Sequence, residues 1–367
     1  MKNFKLTVIL LGVILLVGCN QSIDNNVIID EKELTPIVLE DLPNIDSNMY
    51  VYFSSLNEIE KTVYKELYIG FTNHIDSFTI STDDAEMLFK CYSGLLLEHP
   101  EIFYIDGYSY SKEDCLVITP NYTMSINTAR TYLQKCDNYA NRVVANISED
   151  ASDYEKVITV YDYLASHTIY NNCTNDQNMV SVATENKSVC LGYSLMYQYI
   201  LQRLGISNIV VTGTSLDTNH AWNIVKVNNE WYHSDVTWAS QTYSIYKSKY
   251  SKEEIPHDYF LLSDEDISKD HTMNMSLYVP SCISNDMNYY VLNNILINEF
   301  SVQQLKSIFS NALLNGDDTI TIKCVDYNTF VKVSDYLIGQ DKIFDLIENK
   351  EYSYVYNIDL YTLTFWF

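Results

Sequence analysis

Cys190 stands just before a helical stripe, His220 opens a β-branched segment, and Asp235 lies in the segment that returns after it. A thiol, an imidazole and a carboxylate are the groups needed for acyl transfer through a thioester. In that chemistry Cys190 attacks a carbonyl. His220 holds the thiolate as an ion pair and later protonates the leaving amine, while Asp235 fixes the imidazole's tautomer and orientation.

Local structure has to bring the three together, and the spacing allows it. Leu191, Leu195, Met196, Tyr199, Ile200 and Leu204 form one helical stripe that Gly205 stops, so Cys190 falls at a helix N-terminus. There the unpaired N–H groups and the positive end of the helix dipole favour a thiolate. The Cys190 N–H is also a natural oxyanion donor. Ile206–Thr212 reads as a strand ending at Gly213, Thr214–Asn219 as a polar loop, and His220–Val227 as a second strand. Asn228-Asn229 reads as a tight hairpin turn and Glu230–Trp238 as the returning strand.

A two-residue turn sets Val227 against Glu230, Trp222 against Asp235 and His220 against Thr237. His220 and Asp235 are then diagonal neighbours on one face, about 7–8 Å apart at the backbone and within side-chain reach. A four-residue loop keeps that register, and a three-residue loop puts the two on opposite faces. His233, opposite Ile224, is expected to be a support or surface residue, and Asp217 is the weaker choice of carboxylate. Tyr170, Tyr193 and Trp222 are aromatic candidates for lining the site.

These residues resemble the transglutaminase-like (transglutaminase core) superfamily. The family's pattern is Cys-x-Gly-Tyr at a helix start, a later Gly, His-Ala-Trp-Asn, then Trp-Tyr-x-x-Asp-x-Thr-Trp. Here these are Cys190, Gly192, Tyr193, Gly213, His220, Ala221, Trp222, Asn223, Trp231, Tyr232, Asp235, Thr237 and Trp238. Tyr170, read as ending an upstream helix, and the segment from Tyr259 to His271 also fit bacterial members. Leu191 and Val236 depart from the residues usual after the cysteine and before Thr-Trp, and neither belongs to the triad. The resemblance covers roughly 150–275. It implies an α+β, papain-like core, with a helix-borne cysteine packed on an antiparallel sheet carrying histidine and aspartate. It also implies a catalytic Cys190–His220–Asp235 set, with Gly192 and Asn223 joining the lining residues. Family members include cross-linking transglutaminases, peptidases or amidases, and chains that have lost the triad.

The N-terminus reads as an address. Lys2 and Lys5 precede a run of twelve weakly polar to apolar residues, Leu6–Val17, too short to span a bilayer and suited to a signal-peptide core. Leu16-Val17-Gly18-Cys19, followed by polar residues, looks like a bacterial lipobox. It implies cleavage before Cys19 and a lipid on its thiol, holding the protein at the extracytoplasmic face of the cell membrane. Seven of the eight cysteines follow Cys19, without the short spacings of a zinc site. No metal or cofactor is expected. Cys173, in a polar loop, is the one rival thiol near the motif.

The formal charge of −25, from 48 acidic against 23 basic residues, repels phosphate backbones and argues against nucleic acid as a partner. It also repels anionic lipid, so a lipid chain rather than charge would supply membrane attachment. Cationic or lysine-bearing substrates would be attracted. A soluble acidic surface with no dedicated partner explains the charge equally well, and nothing in the sequence specifies an oligomeric state. The 32 tyrosines read mainly as packing residues.

The expected organisation is a signal peptide over 1–18, a lipidated cysteine and acidic tether over 19–48, an N-terminal α/β region over 49–150, the catalytic core over 151–279, and a small α/β domain over 280–367. In the N-terminal region, Ser55-x-x-Glu58 should cap a helix ending near Gly70. A helix over 83–98, short strands over 102–110 and 115–118, and a helix from Ala129 to Val144 should follow. Ser152-x-x-Glu155 should cap the helix opening the core. The last domain should contain a strand near Tyr289, a helix capped at Ser301, a strand over Thr319–Cys324, another helix, and one or two strands over Tyr352–Phe367. Asp264-Glu265-Asp266 reads as a solvated face. The function expected is a membrane-anchored cysteine acyltransferase or peptidase acting on protein or peptide amides. The alternative is a silent binding or scaffold lipoprotein that reuses the fold.

Overall fold

Helix Cys190–Arg203 buries ten of its residues outright, plus Gly192, because it lies between a sheet and other helices. A helix surrounded this way must be apolar on nearly every side. Its neighbours are the helices Asp153–His167, Met179–Glu185 and Val236–Ile245 and, on the other side, an antiparallel five-stranded sheet. That sheet runs His271–Met273, Asn208–Ser215, Thr218–Val227, Glu230–Ser234 and Phe260–Leu262 in spatial order. This is the helix-on-antiparallel-sheet core expected from the motifs. The computed structural model describes residue 37 and residues 42–112, 114–348 and 350–367. The expected signal segment, Cys19 and most of the expected tether lie outside the described residues.

The central hairpin has the register read from the sequence. Val227 pairs with Glu230, Ile224 with His233 and Asn223 with Ser234. Asn228 and Asn229 both have positive φ (51° and 68°), as the mirror-image two-residue turn requires. The returning strand is shorter than expected, however. It stops at Ser234, and the residues expected to extend it to Trp238 begin the helix Val236–Ile245. The cause is Asp235, whose Oδ1 accepts from the backbone N–H groups of Thr237 (2.9 Å) and Trp238 (3.2 Å) and caps that helix. Trp222 therefore has no strand partner in Asp235.

The preceding hairpin is tighter than expected. Its first strand, Asn208–Ser215, runs through Gly213, and the expected loop over 214–219 reduces to the turn Leu216-Asp217, also at positive φ. Gly213 is needed because of a close approach. A Cβ there would sit 2.0 Å from the Thr272 carbonyl oxygen on the edge strand His271–Met273.

Other elements start or end where the local capping chemistry places them. Asn57 and Glu60, not Ser55 and Glu58, form the capping box of helix Glu58–Thr72, which continues past Gly70. Ser152 and Glu155 do form one. Tyr170 follows the end of helix Asp153–His167 and lies in a two-residue strand parallel to Lys187–Ser188. Near Tyr289 there is a short helix, Tyr289–Leu292, rather than a strand, because Asn288 caps it. The helix Val302–Asn315 starts at its Ser301 cap, and strand Thr319–Cys324 pairs with the second strand of a terminal hairpin, Ser353–Asn357 and Thr362–Trp366.

Three larger apolar clusters organise the described chain: one around the cysteine helix, one from the N-terminal region and one from the last domain. The N-terminal region is pinned to the core by polar contacts. Tyr52 donates to the Val210 carbonyl (2.9 Å), Gln202 donates to the Glu98 carbonyl (2.9 Å), and Arg203 pairs with Asp137 (2.6 Å). The C-terminal unit docks Leu360 among Tyr259, Leu262 and Ile267, and sets Trp366 edge-on to Tyr246. Among the described residues no helix is long and apolar enough to cross a membrane.

Replacing Gly213 by alanine should drive the 271–273 strand off the sheet edge. The expected cost is about 1–3 kcal/mol, read as a lowered urea midpoint.

Candidate active site

Each of the three motif residues reaches the site from a different kind of element. Cys190 is the first residue of its helix, and the preceding residue, Val189, has no side-chain oxygen to cap the free N–H groups. His220 projects from the middle strand of the sheet, and Asp235 sits at the strand-to-helix junction. His220 Nε2 lies 2.5 Å from Asp235 Oδ2, and Cys190 lies close enough to the same imidazole to help raise its pKa. With Nε2 committed to Asp235, Nδ1 is the ring nitrogen left for the thiol.

Burial would by itself drive His220 neutral. The adjacent Asp235 carboxylate, through its charge and hydrogen bond, and Cys190 outweigh that and push its pKa up to about 10. Asp235 feels the same competition. Burial favours its protonated form, but His220 and His271 hold it well below the usual carboxylate range. The stable state of the pair is therefore an imidazolium at His220, next to Cys190, with an ionised aspartate behind it. Both partners are nearly closed off from solvent, with side-chain exposures of 8% and 0%.

The other motif residues support this pair. Trp222 is buried, stacks near-parallel to His220 with ring centres 5.9 Å apart, and donates its indole N–H to His233 Nδ1 (3.0 Å). His233 is fully buried, not a surface residue, and its Nε2 lies 2.8 Å from Asp264. An indole can only donate, so His233 Nδ1 is an acceptor and Nε2 carries the hydrogen. Asp264, expected on a solvated face, thus ends a strut that backs the His220 imidazole. Its Oδ2 also accepts from the Cys282 N–H (3.0 Å).

Asn223 spends its amide on the Ser194 carbonyl in the cysteine helix (3.1 Å), and Tyr193 is bonded to Ser240 Oγ (2.8 Å) beneath that helix. Both are buried braces rather than lining groups. Gly192 lets the loop before helix Met179–Glu185 pack against the cysteine helix, where a Cβ would lie 2.0 Å from Ser188 Oγ. Tyr170 is the expected lining residue that remains partly exposed. Burial, then the nearby Cys190 and Asp235, push its phenol up to about 12.

Sequence reasoning assigned no role to His271, Asp270 or Trp238. His271 Nε2 shares Asp235 Oδ2 at 3.2 Å, and its Nδ1 lies 2.5 Å from Asp270. The indole of Trp238 donates to Ser215 Oγ (3.1 Å), with its ring edge-on to His220. The Tyr259–His271 segment was the available signal, but its spacing from Asp235 gave no register.

Among the described residues, two donor sets have ligand atoms within 4.8 Å of one another: His220, Asp235 and His271, and His233, Asp264 and Cys282. In the first, the two Nε2 atoms face one carboxylate oxygen as hydrogen-bond donors. In the second, Nε2 of His233 carries its hydrogen. Neither offers histidine lone pairs to a cation as arranged. A pocket of about 210 Å³ is lined by Trp222, His233, Asp264 and His271 but by neither Cys190 nor His220, so it lies against the supports.

The His220 shift has a sign that can be tested. The stability it contributes is complete below about pH 6.5, where an unfolded histidine is also protonated, and is lost as pH rises through about 10. Asp235 contributes above about pH 4 and loses its part on acidification. The stability gap between the parent chain and Asp235→Asn should be widest between about pH 4 and 6.5 and shrink toward alkaline pH, as read from urea unfolding across pH.

A family model described as the transglutaminase-like superfamily matches residues 137–236. No curated protein matches significantly. Among solved structures, a TGase aligns with 36% of this chain and 44% of its own at 16% identity, with a TM-score of 0.28. The periplasmic domain of TgpA from Pseudomonas aeruginosa aligns with 37% of this chain and 56% of its own at 14% identity and a TM-score of 0.24. In both cases the alignment spans less than two thirds of the other protein's length. The matched segment contains the cysteine helix, the histidine strand and Asp235, so what the family model matches is a transglutaminase-like domain over residues 137–236.

Proposed function

We propose that the protein is a cysteine acyl-transfer enzyme acting on protein or peptide amides, held at the extracytoplasmic membrane face by a lipid on Cys19. The observation that carries the catalytic reading is the buried His220–Asp235 hydrogen bond with Cys190 next to the same imidazole. The thiolate attacks the amide carbon, and the developing oxyanion lies near the Cys190 N–H at the uncapped helix start. His220 gives its proton to the departing amine as the C–N bond breaks, leaving a thioester. An incoming amine or water then attacks the thioester, with His220 taking up its proton and Cys190 leaving as the thiolate. Asp235 stays ionised throughout and holds the ring.

One observation favours the silent-scaffold reading. The Cys190 residue is only 1% exposed, so a substrate needs the site to open. Thiol reactivity separates the two. Cys173 provides the internal reference, since burial, then Glu185 and Asp176, push its thiol up.

Iodoacetamide should alkylate Cys190 at least about tenfold faster than Cys173, and His220→Ala should remove that preference. Equal slow labelling, mapped by mass spectrometry, would favour the scaffold. In a turnover assay with peptide amides and amine acceptors, Asp235→Asn should cost about 10²-fold or more, with circular dichroism unchanged. Cys19→Ser should move the protein from the membrane fraction to the soluble fraction of a bacterial host.

A further inference from the structure

A second histidine competes for the carboxylate that orients the first. Asp235 Oδ2 is shared by His220 Nε2 at 2.5 Å and His271 Nε2 at 3.2 Å, while Oδ1 is occupied by two backbone N–H groups. On its far side, His271 Nδ1 meets Asp270 Oδ1 at 2.5 Å, and Asp270 Oδ2 accepts from Tyr259 at 2.5 Å. His271 thus lies between two carboxylates. Ionised carboxylates only accept, so both of its nitrogens must donate, and a ring with two donors is an imidazolium. Its side chain is 1% exposed, so water does not screen that charge.

We propose that His271 is a positioning residue for the Cys190–His220 pair: as a buried imidazolium it divides the charge of Asp235 and so limits how firmly that carboxylate keeps a proton on His220. The need for such a device follows from the proton transfers above, and in that respect it rests on the acyl-transfer reading. A general acid must release its proton to the leaving amine. Sole possession of a buried carboxylate would make His220 a poorer acid. A cation 5.4 Å away, centre to centre, makes it a better one.

The groups facing His271 agree with a charged ring. Asp235, Asp270, His220, His233 and Tyr259 surround it, with the Trp222 ring centre 5.0 Å off and steeply inclined to it. Burial opposes its protonation, but the bonds to Asp235 and Asp270 prevail and raise its pKa. His233 is kept neutral chiefly by burial, and the charge on His271 also disfavours its protonation.

The test is a pH titration of histidine ring nitrogens by ¹⁵N NMR on the full chain, comparing the parent with His271→Gln and Asp270→Asn. In the parent, both His271 nitrogens should show the protonated signature at pH 7. His271→Gln keeps a donor to Asp235 but removes the charge, so His220 should titrate about 1–2 pH units higher. In Asp270→Asn, His271 should titrate lower than in the parent, which serves the same test if the glutamine variant does not fold. A neutral His271 at pH 7, or a His220 titration unmoved in a folded His271→Gln, would overturn the proposal and leave His271 a packing residue. Cys190 alkylation is followed on the same samples. If it is slow in the parent as well, the acyl-transfer reading fails, while the nitrogen titrations still decide the role of His271.

Discussion

The site is organised by one buried anion. Asp235 has no exposed side-chain surface, and an isolated ion there would cost several kcal/mol in lost hydration. It is stable because four donors converge on it: two backbone amides at the start of helix Val236–Ile245 and two histidine nitrogens. Those donors come from the following helix, the middle of the sheet and the sheet's edge. Keeping Asp235 satisfied therefore holds three elements in register. The backbone of Asp235 is held too, its N–H by the Tyr259 carbonyl and its carbonyl by the Tyr161 hydroxyl.

Around that anion the protein builds stiffness into each partner. His220 is backed by Trp222, which is held by His233, which is held by Asp264. The cysteine helix is tied down from several sides. Asn223 reaches its Ser194 carbonyl, Tyr197 lies 3.3 Å from both the Val157 carbonyl and Ser234, and Tyr193 joins Ser240, which donates to Thr168. These are buried polar links whose partners are satisfied, the condition under which such links specify one arrangement rather than destabilise it. Glycines 192 and 213 allow the close backbone approaches that the arrangement needs.

The flanking units act as buttresses. Glu98, buried in the N-terminal region, accepts from Tyr64 and from the backbone of Tyr52 and Phe53, and Tyr52 in turn donates to strand Asn208–Ser215. On the opposite flank, the last domain covers Tyr259, which lies in the network reaching Asp235 through Asp270 and His271. Neither unit supplies a group that bonds Cys190 or His220 among the described contacts, so their effect on the chemistry runs through packing.

The hairpin register was legible because two adjacent asparagines favour a two-residue turn, and a period of two residues then fixes every facing pair. The cysteine's place followed from a helical stripe that begins one residue after it, and the tryptophans and glycines carried the family resemblance. Strand ends were less legible. Asp235 reads as a strand residue until its side chain is seen capping the next helix, and Ser55 reads as a cap until the structure shows Asn57 and Glu60 closing the capping box. What sequence alone could not reach was the convergence on Asp235 from afar. His271 lies 36 residues away, on a strand whose register depends on a glycine-sized gap beside Thr272. Local rules determined which groups were present and which neighbours faced each other across a turn. Only the tertiary structure decided that one carboxylate would be shared by two histidines, because the sharing is set by how separate strands and a helix close around a charge that cannot be left unpaired.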